Sequence, residues 1–296
     1  MNSSDFNQST CLPFTRVAII GVGLLGGSLA LALKQHQLAH AIVGYGRNIA
    51  NLREAQAAKL IDEIATDVVH AVTDADLIVL ATPVGQFADL LTNIAPYLAP
   101  YAIVIDVGST KADVAEHFTT YLNNHLPYCV PCHPIAGAEK SGWQHAQADL
   151  FMGRTTVICP LSKTLSVAQQ RIMTMWQTIG SHCVTSNPQS HDYTYGMVSH
   201  LPHLLAFAMM NQIGQADHPE QLLNAAGTGF RDFTRIAASH PQMWCDISLA
   251  NRHNLLNGIN GFMSQLSQIQ TMLQHEDADA LHAWISHAAQ LRRKLT

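Results

Sequence analysis

His133 stands in "CVPCHPIAGAEKSG", directly at the end of a short apolar run and beside Pro134, whereas many of the other histidines are scattered over segments with helical periodicity. An imidazole titrates near neutral pH, and the carboxyl ends of strands are where open α/β sheets meet their ligands, so His133 is placed for acid–base work. Ser109 ends another such run in "DVGSTK". On spacing alone it is either a helix N-cap or a hydroxyl directed at a substrate. Thr82 and Pro83, in "ATP", close a third run and are positioned to shape the nicotinamide side of a bound cofactor. The pair Cys129-x-x-Cys132 followed by His133 offers three zinc-ligand types, but a structural zinc site needs a second ligand pair and none follows at suitable spacing. The cysteines therefore read as small strand-lining residues, and no metal is expected.

The stretch "VAIIGVGLLGGSLALAL", residues 17–33, could be a membrane anchor or the opening of a nucleotide-binding domain. Its length is short of the roughly twenty residues a spanning helix needs, and no basic start precedes it as in an export signal. The spacing Gly21-x-Gly23-x-x-Gly26, with Leu24 and Leu25 between the glycines, falls where a buried strand gives way to a helix. There the first glycine permits the tight turn, the second admits a pyrophosphate, and the third lets helix and strand pack closely. An NAD site usually carries an acidic residue about twenty positions further on to accept the ribose hydroxyls. In "VGYGRN" that position holds Gly46, followed by Arg47, a pairing that suits a 2′-phosphate and predicts NADP as the preferred cofactor, with NAD possible. Arg47 as an ordinary exposed arginine is the plainer alternative.

Strand and helix signals alternate from residue 16 onward: "RVAII", "AIVGYG", "DLIVLATP", "AIVIDVGS" and "PYCVPCHP" read as strands with helices between them. This predicts an α/β fold with a Rossmann-like doubly wound sheet. "TTVICP" and "SHCVTS" are expected to extend the same sheet. Strand signals stop near Asn187-Pro188, so the expected division is a flexible tail over 1–15, a dinucleotide-binding domain over 16–187 and an all-α substrate and dimerisation domain over 188–296. In "SHLPHLL" Pro202 suits the first turn of a helix, which would set His203 near a helix N-terminus and an anion.

With 296 residues, 48% of them hydrophobic, the chain can bury a large core. Its net charge of −5 and lack of a basic block argue against nucleic acid or an anionic membrane as partner and for a small molecule. Six cysteines without an export signal predict reduced thiols in the cytoplasm.

"GVGLLGGSLA", "DVGSTK", "HPIAGAEKSG", "VSHLPH" and "GFRDFTRIAASHPQMW", in that order, resemble the prephenate/arogenate dehydrogenase family of tyrosine biosynthesis. The resemblance runs from about Arg16 to the helices beyond Trp244. It implies oxidative decarboxylation of a cyclohexadienyl acid: hydride passes to NAD(P)+, carbon dioxide leaves and the ring becomes aromatic. It places His133 and Ser109 at the reacting hydroxyl, Arg235 on the ring carboxylate, and His203 on the side-chain carboxylate of prephenate. Arg231 lies one helical turn before Arg235 and faces either the same cleft or a surface ion pair with an acid such as Glu139. Glu139, Lys140 and Asp232 look like a gate at the cleft entrance. His200 reads as structural and Trp244 as a cleft wall. The helical half resembles the family's dimerisation domain, so a homodimer is expected. No appended regulatory module or fused mutase is visible, and control by tyrosine through a separate domain is not expected.

Three other readings stand beside prephenate oxidation. One is arogenate oxidation, alone or with prephenate. A different hydroxyacid dehydrogenase would normally place a catalytic lysine on a helix of the second half, where this chain has none before "LRRKL". A non-enzymatic NADP sensor would keep the glycines without needing both His133 and Arg235.

Overall fold

The computed structural model describes residues 12–137 and 141–295. Most of the expected tail, and Glu139 and Lys140, lie outside the described residues. The first strand, β1 (Phe14–Ile20), starts two residues before the expected "RVAII". The Asp76 carboxylate accepts the N–H groups of Thr15 and Arg16, both at 3.0 Å, and so extends the strand.

Five more strands join it: β2 (Ala39–Tyr45), β3 (Glu63–Ile64), β4 (Leu77–Leu80), β5 (Ile103–Asp106) and β6 (Cys129–Val130). All pair in parallel, in the order β3-β2-β1-β4-β5-β6. The order reverses between β1 and β4, so the crevice at their carboxyl ends is the place for a ligand. Strand residues alternate between two cores: Val17, Ile19, Leu77, Val79 and Ile105 face one, while Ala18, Ile20, Ile78, Leu80 and Val104 face the other. Both faces are covered by helices. On the first side lie α1 (Leu24–Gln35), α2 (Ile49–Ala57) and α6 (Ser166–Thr178); on the second lie α3 (Val68–Val72), α4 (Phe87–Ile94) and α5 (Ala112–Tyr121). Phe87, Leu91 and Phe118 are fully buried on the second side, each contributing about 1.5–3 kcal/mol of transfer free energy.

The expectation of one continuous sheet is corrected at Pro131. Proline has no N–H to continue a ladder, so "CVPCHP" splits into β6 and β7 (Cys132–Pro134). The N–H of Cys132 turns to the Asp106 carboxylate at 3.0 Å. β7 then pairs antiparallel with β8 (Thr155–Ile158), and β8 pairs parallel with β9 (His182–Thr185), forming a separate three-stranded sheet.

From Pro188 the described residues form helices: α7 (Pro188–Tyr195), α8 (Leu201–Gly214), α9 (Pro219–Asn224), α10 (Thr228–Thr234), α11 (Pro241–Ala250), α12 (Arg252–Gln274) and α13 (Ala278–Arg292). The helical run is interrupted around Gly227, between α9 and α10, and at Asn251, between α11 and α12. Between α7 and α8 the backbone forms one π turn, Gly196–His200. Pro202 follows it at once, and the wider turn relieves the clash and missing N–H that proline brings to a continuous helix. Apolar side chains on α12, among them Leu256, Phe262, Met263, Leu266 and Leu273, are exposed in the single chain. Among the described residues no helix is long and apolar enough to cross a membrane.

Candidate active site

The glycine turn has the form that its spacing predicts. Gly21 has φ of 104°, and a Cβ there would lie 2.6 Å from the Ala81 carbonyl oxygen. A Cβ on Gly26 would lie 2.1 Å from the oxygen of Gly21, so only glycine lets α1 start this close to β1. Nothing stands within 4 Å of a Cβ at Gly23, which leaves its backbone approachable. The N–H groups of Leu24, Leu25 and Gly26 open α1 and have no acceptor within the helix, as any helix start requires. Beside them, the hydroxyl of Thr82 is buried without a hydrogen-bond partner among the described residues. This arrangement fits a dinucleotide: donors for its pyrophosphate, a turn without side chains, and an orphaned hydroxyl at the next strand end, beside Pro83. Across the crevice Gly46 follows β2, Arg47 is exposed, and Asn48 caps α2 by accepting from the N–H groups of Ala50 and Asn51.

His133 lies in β7 with 9% exposure. Its Nδ1 is 2.8 Å from Nε2 of His191, whose Nδ1 is 2.7 Å from Oδ1 of Asp192. These contacts determine where the protons sit. The Asp192 carboxylate accepts, so His191 carries its proton on Nδ1 and presents Nε2 as an acceptor. His133 must then donate from Nδ1, which leaves its Nε2 with a free lone pair. Burial, reinforced by the positive fields of His191, Lys111 and His200, pushes His133 well below the ordinary imidazole value. Burial lowers His191 as well, against the upward pull of its bond to Asp192. Both rings are therefore neutral at pH 7, and the pair forms a base with a defined lone pair. The thiol of Cys132 turns away to the Val130 carbonyl at 3.2 Å, and burial raises the thiols of Cys129 and Cys132 above their usual range. Among the described residues no group of three or more His, Cys, Asp or Glu side chains is arranged to hold a metal.

Ser109 is half-buried in the loop between β5 and α5, three residues after Asp106, whose carboxylate also holds Cys132. That bond puts the serine loop and His133 on one rim. Lys111, in the same loop, is fully buried and forms an ion pair with Asp106.

The second group of predicted residues gathers around Trp244. His203 stacks on the indole with ring centroids 3.7 Å apart and planes inclined by 21°. Its Nδ1–H donates to the Ser199 carbonyl at 2.9 Å, leaving Nε2 for another partner. Burial, together with the positive field of Arg235, holds His203 below its ordinary value, so Arg235 and His203 share one neighbourhood. The expectation of a helix N-terminus at His203 is corrected: α7, the π turn and α8 run on as one helical stretch, so no free N–H groups open there. Arg231 is exposed, and its Nε donates to the carbonyl of Ala226, just before its own helix, 3.2 Å away. Among the described residues no hydrogen bond ties it to the histidines. His200 is buried and structural in its contacts, with Nδ1 3.0 Å from Nδ2 of Asn251 and burial lowering it to about 4. Sequence reasoning missed His191, Asp192, Lys111, Asp106 and Asn251. The available signals were "DVGSTK", which begins with Asp106 and ends with Lys111, and "SHD" at residues 190–192, just after the change to helices.

A doubly wound sheet with this glycine turn, faced by helices across a histidine-lined cleft, defines a two-part NAD(P)-dependent oxidoreductase. Residues 29–185 match the model of the prephenate dehydrogenase nucleotide-binding domain, and residues 187–287 match that of its dimerization domain. A cyclohexadienyl dehydrogenase of Zymomonas mobilis is 32% identical over 270 residues, covering 90% of this chain and 92% of the relative. The prephenate dehydrogenase of Bacillus subtilis is 33% identical over 93% of this chain and 75% of its own length. The structure of prephenate dehydrogenase from Aquifex aeolicus, in complex with hydroxyphenyl propionate and NAD+, superposes with a TM-score of 0.90 at 32% identity, covering 97% of this chain and 100% of that one. Synechocystis arogenate dehydrogenase superposes with a TM-score of 0.81 at 25% identity, over 95% and 100% of the two chains. The chain belongs to the prephenate dehydrogenase family.

Proposed function

We propose that the protein oxidatively decarboxylates prephenate to 4-hydroxyphenylpyruvate with NADP+ as the preferred acceptor, residues 16–187 holding the dinucleotide and residues 188–296 the substrate and a second copy of the chain. The observation that carries this reading is the free Nε2 of a neutral, buried His133 on the same rim as the Ser109 loop. The bound dinucleotide supplies the hydride acceptor. His133 accepts the proton of the ring hydroxyl as hydride leaves the carbon bearing it. Electrons from the breaking carboxylate bond then flow through the diene, carbon dioxide departs, and His133 can return the proton to the new phenolate oxygen. Ser109 orients that oxygen. The dimer reading is supported by the match to the dimerization domain and by the apolar residues that α12 exposes.

Prephenate is a dianion, and two separate groups suit its two carboxylates. Arg235 offers a planar fork for the ring carboxylate. His203, neutral and held by Ser199 and Trp244, offers a hydrogen-bonding nitrogen to the keto-acid side chain, whereas the ammonium of arogenate would be better met by a carboxylate. Steady-state rates with prephenate and with arogenate, each with NADP+ and NAD+, test the whole reading. Activity confined to arogenate would overturn the substrate assignment and leave the hydride chemistry standing. Replacing Arg235 with Gln should raise KM for either substrate by about a hundredfold, the loss expected when one partner of a shielded charge pair is removed. A KM within threefold of wild type would remove Arg235 from ring-carboxylate binding.

The NADP preference rests on Gly46 and Arg47. A Cβ at Gly46 would meet nothing closer than Leu52 Cδ2 at 3.8 Å, so an aspartate fits there without displacing the backbone. Gly46→Asp should shift the ratio of kcat/KM values from NADP+ toward NAD+ by at least tenfold, because the new carboxylate repels the 2′-phosphate and accepts from the ribose hydroxyls. A wild-type enzyme that uses NAD+ at least as well as NADP+ would refute the preference.

A further inference from the structure

The carboxylate of Asp192 serves two elements at once. It lies on α7, in the helical half, yet it receives the backbone N–H of Lys111 at 2.7 Å on Oδ1 and that of Ala112 at 2.8 Å on Oδ2, so it caps α5 of the sheet half from across the cleft. The same Oδ1 receives the Nδ1–H of His191. Its backbone oxygen is held by Asn251 Nδ2 at 2.8 Å, and the side chain is almost wholly buried. We propose that Asp192 is a positioning residue that makes the tautomer of the base depend on the docking of the two halves: only when α7 sits on the N-terminus of α5 is an acceptor fixed behind His191, and only then is Nε2 of His133 free. Ser109, two residues before Lys111, is set by the same contact. Dehydrogenation thus requires that base, hydroxyl and substrate cleft be assembled together, since one carboxylate joins the loop that carries Ser109 to the helix that carries His191. This inference rests on the proposed role of His133 as base.

Two substitutions separate positioning from mere scaffolding. In Asp192→Asn the amide oxygen takes the Oδ1 position, where two donors converge, and its NH2 group faces the single donor at Ala112. The proton of His133 should therefore stay on Nδ1, and kcat should fall less than about tenfold. Asp192→Ala removes the acceptor. His133 should then show a mixture of tautomers in 15N-histidine NMR, identified by the signal that His133→Asn abolishes, and kcat should fall about a hundredfold, with KM changed less than threefold and the dissociation constants of NADP+ and NAD+ changed less than twofold. The same tautomer in Asp192→Ala as in wild type would overturn the proposal, and so would equal losses of kcat in the two variants. Should the alanine variant fail to fold, wild type alone decides: at pH 7 the protons of His133 and His191 must both be on Nδ1, and a proton on Nε2 of His133 overturns the relay. That measurement needs no substrate, so an enzyme inactive on prephenate and arogenate would refute the proposed reaction while the tautomer still judges the inference.

Discussion

His133→Asn lowers turnover by about two to four orders of magnitude, the usual worth of a positioned acid–base group, and leaves dinucleotide affinity within about twofold. The asymmetry follows from placement. The glycine turn, Thr82 and Arg47 lie in the loops that follow β1, β4 and β2, and none of them depends on the imidazole. Asparagine keeps a polar group of similar reach that can still face Nε2 of His191, so packing against the ring of Tyr195, 5.1 Å from that of His133, is disturbed little. What is lost is the lone pair. Ser109→Ala should cost less, about tenfold, because it removes an orienting hydroxyl and leaves the base in place. Single-turnover formation of NADPH, followed by its absorbance, checks both. Turnover in His133→Asn within tenfold of wild type would exclude the histidine from the mechanism.

Lys111→Met should cost about 3–5 kcal/mol of folding stability, the loss expected when one member of a buried ion pair is removed and the other stays uncompensated. Both side chains are fully buried. Burial raises the Asp106 carboxyl above the usual carboxylate range; Lys111 opposes that rise, aided by the N–H of Gly108 at 2.8 Å and that of Cys132 at 3.0 Å. Without the ammonium, two backbone donors remain to offset a desolvated charge. The double variant Asp106→Asn with Lys111→Met should recover much of the loss, since a neutral amide needs no counter-charge and its oxygen can still accept from Cys132. Denaturant unfolding of the free protein measures all three, and a loss below 1 kcal/mol in the single variant would show that the pair is structurally idle. Because the residue held by Asp106 immediately precedes His133, activity should follow stability in this series.

The parts of the site that were legible in the sequence are those made by short-range geometry. A strand, a turn with φ above zero and a helix start lie within a dozen residues, and glycine spacing reports them directly. His133 drew attention as a histidine closing an apolar run, although the structure sets it inside the short strand β7, which pairs antiparallel with β8, and not at the carboxyl end of the parallel sheet. The support behind it was not legible. His133 and His191 are separated by 58 positions, Lys111 and Asp192 by 81, and Asn251 reaches back 59 to Asp192. No periodicity encodes such pairings. Nothing local marks Lys111 as buried, and only the closure of β5 against β7 shows that it is enclosed. The second sheet was missed for a related reason: Pro131 looks like one interruption within an apolar run, and that the strand changes partners there is decided by β8, more than twenty residues on.

The π turn at Gly196–His200 gives the helical half a phase as well as a sequence. Each residue of an α-helix advances its neighbours by about 100° and 1.5 Å. The extra residue of the turn therefore sets the angle between everything before it, His191 and Asp192 included, and everything after it, including His203. Val198, exposed and without a role in the cleft, nonetheless counts, because its presence keeps the two ends in step. Chain length across these five positions is thus a constraint of its own, indifferent to which side chains fill the outer face, and a one-residue indel here would be felt at the far end of the cleft as a rotation.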